Sequence, residues 1–324
     1  SDKTYCYTGD TAVECNKDKL SKIYGNSTQN GTPTPTSPVE IQSVGEKTKN
    51  LFNLTKDDFS KGTINGEGKL VKMTLKPNTV YTLSSNASKY DSSSTNIWFN
   101  GNSTNSNGVW ENQPRSTTSD QNGEIYIVIR SVSINNIFEN YWIQLEEGST
   151  ATSYEPYGYK VPITVSNGTD TKTTNIYLKE PLRKIGEYAD YLDLTNKKVV
   201  RYVKEDVFTG TETINLGDNN RFEYRFEKIS GDGLCNYYKN TNNKSNGSVH
   251  LIYTVAAYFS DTRYNTVEEF KNMLATQYNL GNPVKIVWRR HDKQIFSEES
   301  IDVPEIPSLT GNVTYSIGTN IQPS

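Results

Sequence analysis

The stretch Tyr141-Trp-Ile-Gln-Leu-Glu-Glu-Gly-Ser-Thr-Ala-Thr-Ser-Tyr-Glu-Pro-Tyr157 organises the fold that we expect for this chain. Its first residues alternate: Ile143 and Leu145 face one side of a strand, and Trp142 and Gln144 face the other. A glycine ends the strand, and a small polar run leads into a proline-containing turn. The residues before this stretch predict a sandwich of strands that it completes, and the residues after it predict a second domain.

The composition favours a β-rich protein with a polar exterior. Only 33% of the 324 residues are apolar, yet the chain carries 22 Tyr, 10 Phe and 4 Trp. Aromatic side chains bury large areas and favour pleated surfaces. The net charge is −3 with acids and bases interspersed, which does not resemble a nucleic-acid interface. No apolar run approaches the roughly 20 residues that a membrane span needs, so we expect no membrane insertion.

The order of the segments predicts four parts. Residues 1–30 are polar and weakly patterned and are interpreted as an N-terminal attachment segment, and residues 31–49 form a Pro-rich strap followed by a strand. Residues 50–158 contain several short strands and no helix of useful length, which is typical of an antiparallel jelly-roll sandwich. The strands expected there are 69–75, 79–85, 96–100, 124–131 and 137–146.

Residues 159–324 predict a β-rich α+β domain with one packed helix at about 266–279. Thr266 is an N-cap with Glu269 three residues later, which is a capping box. Val267, Phe270 and Leu274 provide the apolar face of this helix. A glycine and a proline follow, and both residue types end helices.

The sandwich offers one hypothesis for a binding site. If the aliphatic faces of the strands meet in the core, several aromatic and amide side chains lie on the outer faces. Rings bordered by hydrogen-bonding side chains suit a sugar, whose apolar face stacks on a ring while its hydroxyls bond the polar groups. The candidate glycan-binding residues are Trp98, Asn100, Trp110, Tyr126, Arg130, Trp142 and Gln144. Alternation fixes the side of a sheet and not exposure, so packing beneath loops or against another subunit is the competing interpretation.

Cysteines and acidic residues give weaker signals. Cys6 and Cys15 are candidates for a disulfide that closes a short loop in an oxidising compartment, and in a reducing compartment both stay thiols. The sequence contains no motif for a bound metal or other cofactor. Asp57 and Asp58 are close enough to share a structural calcium ion, but adjacent acids at a turn are more commonly solvated.

No catalytic motif is recognisable, so we expect a protein without enzymatic activity. The chain has only two histidines, and no serine or cysteine has an evident base partner. The pairs Glu146-Glu147 and Glu298-Glu299 are adjacent along predicted strands. Neighbours on a strand point to opposite faces, so neither pair can supply the two carboxylates of a glycosidase.

Several stretches, in order along residues 31–324, resemble the tail-associated minor structural proteins of phages and prophages of Gram-positive bacteria. They are Gly31-Thr-Pro-Thr-Pro-Thr-Ser-Pro-Val-Glu-Ile-Gln-Ser-Val-Gly45, Lys49-Asn-Leu-Phe52, Gln144-Leu-Glu-Glu-Gly-Ser-Thr-Ala-Thr-Ser-Tyr-Glu-Pro-Tyr157, Glu180-Pro-Leu-Arg-Lys-Ile-Gly-Glu-Tyr-Ala-Asp-Tyr191, Asn282-Pro-Val284, Pro304-Glu-Ile-Pro307 and Thr319-Asn-Ile-Gln-Pro323. The resemblance implies a virion tail or an extracellular phage-tail-like particle, at its tip, fibre or baseplate. It also implies that residues 50–158 are similar to a carbohydrate-binding module, and that other tail or baseplate proteins and copies of the same chain, as a trimer, are partners.

Three functions therefore compete. The first is a non-enzymatic receptor-binding tail protein that recognises a bacterial cell-surface polysaccharide through the sandwich. The second is a purely architectural tail or baseplate subunit without glycan binding. The third, from another class, is the accessory carbohydrate-binding region of a secreted glycan-degrading enzyme.

Overall fold

The protein consists of two compact units. A computed structural model describes residues 4–8, 11–14, 21–91, 95–100, 107–217, 221–226, 228–243, 245–252, 255–310 and 313–318, the first two of these ranges by their backbone alone. One unit comprises residues 48–158 with 279–281 and is called the sandwich unit below. The other comprises residues 1–47, 159–278 and 282–324 and is called the composite unit.

The described elements follow one another along the chain in three groups. Before residue 48 lie β1 (Thr4–Thr8), β2 (Thr11–Glu14), β3 (Lys22–Tyr24), β4 (Ser27–Thr28), β5 (Gln42–Ser43) and β6 (Glu46–Lys47). Residues 48–158 form α1 (Lys56–Lys61), β7 (Thr63–Asn65), β8 (Gly68–Thr74), β9 (Val80–Ser85), β10 (Ile97–Phe99), β11 (Gly108–Val109), β12 (Arg115–Thr118), β13 (Glu124–Arg130), a 3-10 turn at Ser131–Ser133, α2 (Ile134–Asn140) and β14 (Ile143–Glu147).

The remaining elements begin at residue 159. They are β15 (Tyr159–Ser166), β16 (Thr171–Leu178), β17 (Lys184–Ile185), β18 (Tyr188–Ala189), β19 (Tyr191–Asp193), β20 (Lys198–Arg201), β21 (Val203–Val207), β22 (Asn215–Gly217), β23 (Arg221–Arg225), β24 (Leu234–Cys235), β25 (Lys239–Asn240), β26 (Ser248–Ile252), β27 (Ala256–Ser260), α3 (Val267–Asn279), β28 (Lys285–Arg289), β29 (Ser297–Ser300) and β30 (Val313–Ile317). The chain is therefore mainly β, as the composition predicts.

The sandwich unit consists of two antiparallel sheets. Five strands form one sheet in the order β11-β10-β13-β8-β7, and three form the other in the order β12-β9-β14. From β8 onward the chain passes repeatedly from one sheet to the other, as in a jelly roll. The predicted antiparallel sandwich is confirmed. Its core contains the aliphatic faces that alternation assigned to it, including Ile97, Phe99, Ile125, Ile127, Ile129, Ile143 and Leu145.

Two short helices lie where none was predicted, and one of them corrects a strand boundary. The expected strand 137–146 is divided into α2 and β14. Ile134 and Ile137 are buried on one face of α2, because residues three apart share a helix face. On α1, Phe59 is buried, and its ring lies 5.7 Å from that of Phe138. The predicted strand was wrong over its first residues, because the alternating pattern was extended into residues that form a helix.

The segment that follows β14, residues 148–157, lies across the outer face of the three-stranded sheet, and we call it the crossing segment. Its contacts begin at Glu146, which is 3% exposed although it carries a carboxylate. Glu146 Oε2 accepts hydrogen bonds from Gln144 Nε2 (2.8 Å) and from the backbone N–H of Thr152 (3.0 Å). Glu146 Oε1 accepts one from Thr152 Oγ1 (2.5 Å). A buried carboxylate needs such donors, so the crossing segment and the strand depend on each other.

Asn50 connects the same segment to the start of the unit. Its Nδ2 donates to the carbonyl oxygens of Ile143 (3.0 Å) and Glu155 (3.1 Å). Its Oδ1 accepts from the backbone N–H groups of Phe52 (2.9 Å) and Leu145 (3.1 Å). All four hydrogen-bonding positions of one amide are thus used, two as donors and two as acceptors. The stretches 49–52 and 144–157, which are far apart in sequence, form one network.

The composite unit uses both ends of the chain. β1 pairs in parallel with β30, and β3 pairs antiparallel with β19. The Pro-rich strap is also attached here, where the N–H of Val39 donates to the carbonyl of Asn236 (2.8 Å). The described strands before residue 48 therefore pair with strands that follow residue 158, which differs from the separate N-terminal segment and strap drawn from the sequence. Strand backbones need hydrogen-bond partners, and local patterning does not reveal that these partners lie far along the chain.

Helix α3 packs where the capping box predicts it. Thr266 Oγ1 accepts from the N–H of Glu269 (3.2 Å), and Glu269 Oε2 accepts from the N–H of Thr266 (3.2 Å). Phe270 and Leu274 are fully buried. The ring of Phe270 stacks on that of Phe222 with centroids 4.2 Å apart, against the sheet β22-β23-β27-β26-β25. The predicted helix is confirmed, beginning one residue after its cap.

The sequence Glu180–Tyr191 contains a second buried carboxylate. Asp190 is fully buried, and its Oδ1 accepts from the N–H groups of Tyr202 (2.7 Å) and Val203 (2.9 Å). Its Oδ2 accepts from the N–H of Arg183 (3.0 Å) and from Arg201 Nη1 (3.2 Å). This carboxylate therefore joins the hairpin β17–β18 to β20 and β21.

We predict that Glu146→Ala destabilises the protein by about 2–4 kcal/mol, because three donors lose their buried acceptor. Glu147→Ala is the matched control: the neighbouring carboxylate is exposed and pairs with Lys76 at 2.8 Å, so its loss costs about 0.5 kcal/mol. Urea unfolding followed by tryptophan fluorescence measures both. Equal stability of the two variants would contradict the anchoring role of Glu146.

Asp190→Ala is expected to destabilise the composite unit by about 3–5 kcal/mol, because it leaves the buried Arg201 guanidinium without its carboxylate. Asp170→Ala, at an exposed turn, is the control and is expected to change stability by less than about 0.5 kcal/mol. Calorimetric melting of the full chain distinguishes the two. A melting transition unaffected by Asp190→Ala is the result that would count against this role.

Candidate functional site

The structure divides the seven candidate residues among three places. Trp98 and Asn100 of the β10 region lie on the outer face of the five-stranded sheet, together with Tyr126 and Arg130 of β13. Trp142 and Gln144 belong to the outer face of the three-stranded sheet, on the other side of the sandwich. Trp110 follows β11 at the edge. The predicted sides of the strands are therefore right, but the residues do not form one site.

Trp98 is not an exposed ring. It is 2% exposed, and Arg130, at 6%, lies over it with the guanidinium carbon 5.3 Å from the ring centroid. The same guanidinium lies 4.2 Å from the ring of Tyr90, so it is stacked between two aromatic rings. Arg130 Nε donates to the carbonyl of Thr95 (3.1 Å), and Nη1 pairs with Glu67. The expected exposure of Trp98 and Arg130 is wrong, because this stack covers them.

Gln144 is also internal. It is fully buried, its Nε2 donates to Glu146, and its Oε1 accepts from the N–H of Glu155 (2.7 Å). Trp142 is half-buried and stacks on Tyr154 of the crossing segment, with centroids 4.7 Å apart and an angle of 18° between the ring planes. The expected exposure of Gln144 is therefore wrong, and both residues hold the crossing segment.

Asn100 and Tyr126, by contrast, line a shallow groove. Its volume is about 340 Å³, and we call it the Tyr126 groove. Both residues are partly exposed. The lining residues are Asn65, Leu70, Asn100, Thr118, Asp120, Glu124 and Tyr126. One aromatic ring, one aliphatic side chain and five hydrogen-bonding side chains make this the most sugar-like environment among the candidate places.

Hydrogen bonds fix the polar groups of the groove before any ligand binds. Asn100 Oδ1 accepts from the N–H of Tyr126 (3.0 Å), and its Nδ2 donates to Thr117 Oγ1 (3.0 Å). Tyr126 Oη donates to Glu124 Oε2 (2.6 Å), whose other oxygen accepts from Lys72 Nζ (2.7 Å). Side chains held in this way lose little conformational freedom on binding.

The same bonds set the charge of the groove. The hydrogen bond from Lys72 and then that from Tyr126 lower the pKa of the Glu124 carboxyl below its usual value. The hydrogen bond to Glu124 raises the pKa of the Tyr126 phenol. At neutral pH the groove therefore presents a carboxylate, which accepts hydrogen bonds only, and a neutral phenol. Such an arrangement offers acceptors to hydroxyl groups and disfavours anions.

Trp110 lies in a different environment. It is half-buried, with Lys89 Nζ 4.4 Å from its ring centroid and the guanidinium carbon of Arg115 at 6.0 Å. It therefore interacts with two cations. This place is separate from the lining of the Tyr126 groove.

The two acidic residues considered for calcium, Asp57 and Asp58, have structural partners. Asp58 Oδ2 accepts from the N–H and the hydroxyl of Thr55 at the start of α1, and Asp57 pairs with Lys61 at 2.5 Å. These contacts use the carboxylates that calcium would need. The described residues contain no cluster of three or more His, Cys, Asp or Glu side chains placed to hold a metal ion. The possible Cys6–Cys15 disulfide lies outside the described side chains.

Sequence reasoning missed most residues of the groove. Glu124 was detectable, because it lies two positions before Tyr126 on the same strand and so shares its face. Asp120 belongs to the turn before that strand, where its Oδ1 accepts from the N–H of Glu124 (2.7 Å). Asn65 is brought to the groove from β7 by sheet pairing, which no local signal reveals. The proximity of Lys89 to Trp110 could not be detected from the sequence either.

Comparison with known proteins adds no identification. No family model, curated protein or solved structure matches this chain significantly. Within the described ranges, none of the helices combines the length and apolarity required to cross a bilayer. The function has to be inferred from the geometry of the chain itself.

Proposed function

We propose that this protein is a non-enzymatic structural component of a phage tail or phage-tail-like particle, and that its sandwich unit binds a polysaccharide of the bacterial cell surface. The Tyr126 groove is the observation that carries the binding part of this proposal. The tail assignment is supported by the resemblance of several stretches along residues 31–324 to tail-associated proteins. Other tail or baseplate proteins and further copies of the chain, as a trimer, are its proposed partners.

The chemistry of the groove favours a neutral sugar. Glu124 and Asp120 offer carboxylate oxygens to donor hydroxyls, and the amide of Asn100 provides further polar atoms. The ring of Tyr126 offers an apolar surface for the C–H face of a pyranose. Because the groove is shallow, it suits a chain end or a short segment of polysaccharide rather than an enclosed small molecule.

The carboxylates do not form a pair suited to glycoside hydrolysis. Glu124 is held ionised by Lys72, whereas a general acid needs a raised pKa. Of the adjacent pairs, Glu146 is used by the crossing segment, and Glu298 pairs with Lys198 at 3.0 Å. These contacts support a binding role over a hydrolytic one.

An architectural subunit without glycan binding remains the second candidate. The burial of Trp98 and Gln144 favours it, because two of the side chains predicted to meet a ligand serve the fold instead. In that case the exposed part of the groove would face a neighbouring subunit.

We expect Tyr126→Ala to weaken binding of the full chain to Gram-positive wall polysaccharide by about tenfold or more, because the stacking ring is lost. Tyr126→Phe keeps the ring and is expected to bind within about threefold of the unaltered protein. Tyr157→Ala removes an exposed tyrosine outside the groove lining and serves as the control. Titration calorimetry against a panel of purified wall polysaccharides measures these affinities.

Two results would overturn the proposal. If no polysaccharide in the panel binds the full chain, the architectural candidate replaces it. If a polysaccharide binds but Tyr126→Ala and Tyr157→Ala have equal effects, the groove is not the binding site.

A further inference from the structure

A second place on the sandwich unit has the composition of a site for an anionic group. Trp110 follows β11, and Lys89 and Arg115 reach it from two other parts of the chain. Lys89 is exposed, and Arg115 and Trp110 are partly exposed. Tyr90, next to Lys89 in sequence, is 51% exposed. We call Lys89, Trp110 and Arg115 the cationic edge.

The two cations lack the carboxylate partners that several other cations of this unit have. Lys72 pairs with Glu124 and Lys76 with Glu147, and Arg130 pairs with Glu67. Within the described part of the chain, neither Lys89 nor Arg115 forms an ion pair. Arg115 uses its Nε to donate to the carbonyl of Gly108 (3.2 Å), which leaves the two Nη groups available. Two neighbouring unpaired cations repel each other and favour a bound anion.

The backbone around the cationic edge is held in place. Asn86 Oδ1 accepts from the N–H of Trp142 (2.8 Å), and the carbonyl of Ser88 accepts from Asn96 Nδ2 (3.0 Å). The carbonyl of Ala87 accepts from the N–H of Glu111 (2.9 Å), which connects the Lys89 segment to the turn after Trp110. The backbone that carries Lys89 and Trp110 is therefore fixed before binding, which lowers the entropy cost of association.

Gly108 is needed for the position of the ring. A Cβ at this residue would lie 2.8 Å from the Trp110 ring and 2.8 Å from the Thr95 side chain. The absence of that atom lets the indole lie against the backbone, with Lys89 Nζ 4.4 Å and the Arg115 guanidinium carbon 6.0 Å from the ring centroid. The chain thus accommodates a close approach that any other residue would block.

We propose that the cationic edge binds an anionic group of the wall polymer, a carboxylate or a phosphodiester. This inference rests on the proposed glycan-binding function and adds the charge class of the ligand. The guanidinium of Arg115 donates in a planar fork that suits two oxygens of one anion, and Lys89 adds a point charge. The Tyr126 groove, which disfavours anions, would take a neutral residue of the same polymer.

The test uses the full chain and four purified probes: poly(glycerol phosphate), a uronate-containing polysaccharide, a neutral polysaccharide and an oligonucleotide as an unrelated polyanion. We expect at least one anionic probe to bind, with an affinity that falls as NaCl rises from 50 to 300 mM. Comparison of the affinities for the two anionic probes shows whether the bound group is a phosphodiester or a carboxylate. The double variant Lys89→Gln/Arg115→Gln is expected to weaken that binding by about tenfold and to flatten its salt dependence.

Lys61→Gln is the matched control, because it removes a cation of the same unit that is already paired with Asp57. Circular dichroism of each variant checks that the fold is retained, and the salt dependence of the unaltered protein gives an independent measurement. The inference is overturned if neither anionic probe binds, if the double variant and Lys61→Gln have equal effects, or if an oligonucleotide binds more tightly than both anionic polysaccharides. If neither anionic probe binds, while the neutral probe binds independently of salt and Tyr126→Ala abolishes that binding, this inference alone is overturned and the proposed function stands.

Discussion

The sandwich unit depends on the hydrogen bonds that the protein makes to one buried carboxylate. Glu146 lies almost entirely out of water, so the free energy lost with its hydration shell has to be offset by hydrogen bonds within the protein. Gln144 and Thr152 supply those bonds. Thr152 can do so only if the chain turns back over its own sheet after β14. Gly148 permits that turn, with φ +112°, a value that glycine adopts without strain.

The crossing segment makes the two outer faces of the sandwich unequal. One face is covered by the chain itself, and its polar side chains, such as Thr82 and Ser116, bond the carbonyls of residues 148 and 149. The other face keeps a groove whose polar groups are fixed but not fully used. Ligand binding is therefore expected on the five-stranded sheet, at the opposite side from the aromatic pair Trp142–Tyr154. Residues 144–157, which form part of the resemblance to tail-associated proteins, therefore stabilise the fold. The groove is formed by residues outside that stretch.

The sequence predicted the sheet faces well, because alternation is a local property. Ile125, Ile127 and Ile129 were assigned to the core from their spacing alone, and all three are fully buried. Alternation does not predict which side chains of the outer face are covered by other residues. Trp98 is hidden by Arg130 and Tyr90, whose positions depend on strand pairing and on a loop. Likewise, the pairing of β3 with β19 unites segments that are about 170 residues apart, which no local pattern encodes.

The account predicts a specific pattern of amide protection in the crossing segment. The N–H groups of Thr152 and Glu155 donate to Glu146 and Gln144, so hydrogen exchange at both should be at least about 100-fold slower than in an unfolded chain. Residue-resolved exchange of the full chain measures this directly. Exchange of Thr152 and Glu155 at the unprotected rate, with β14 still protected, would show that the segment does not lie on its sheet and would contradict the account.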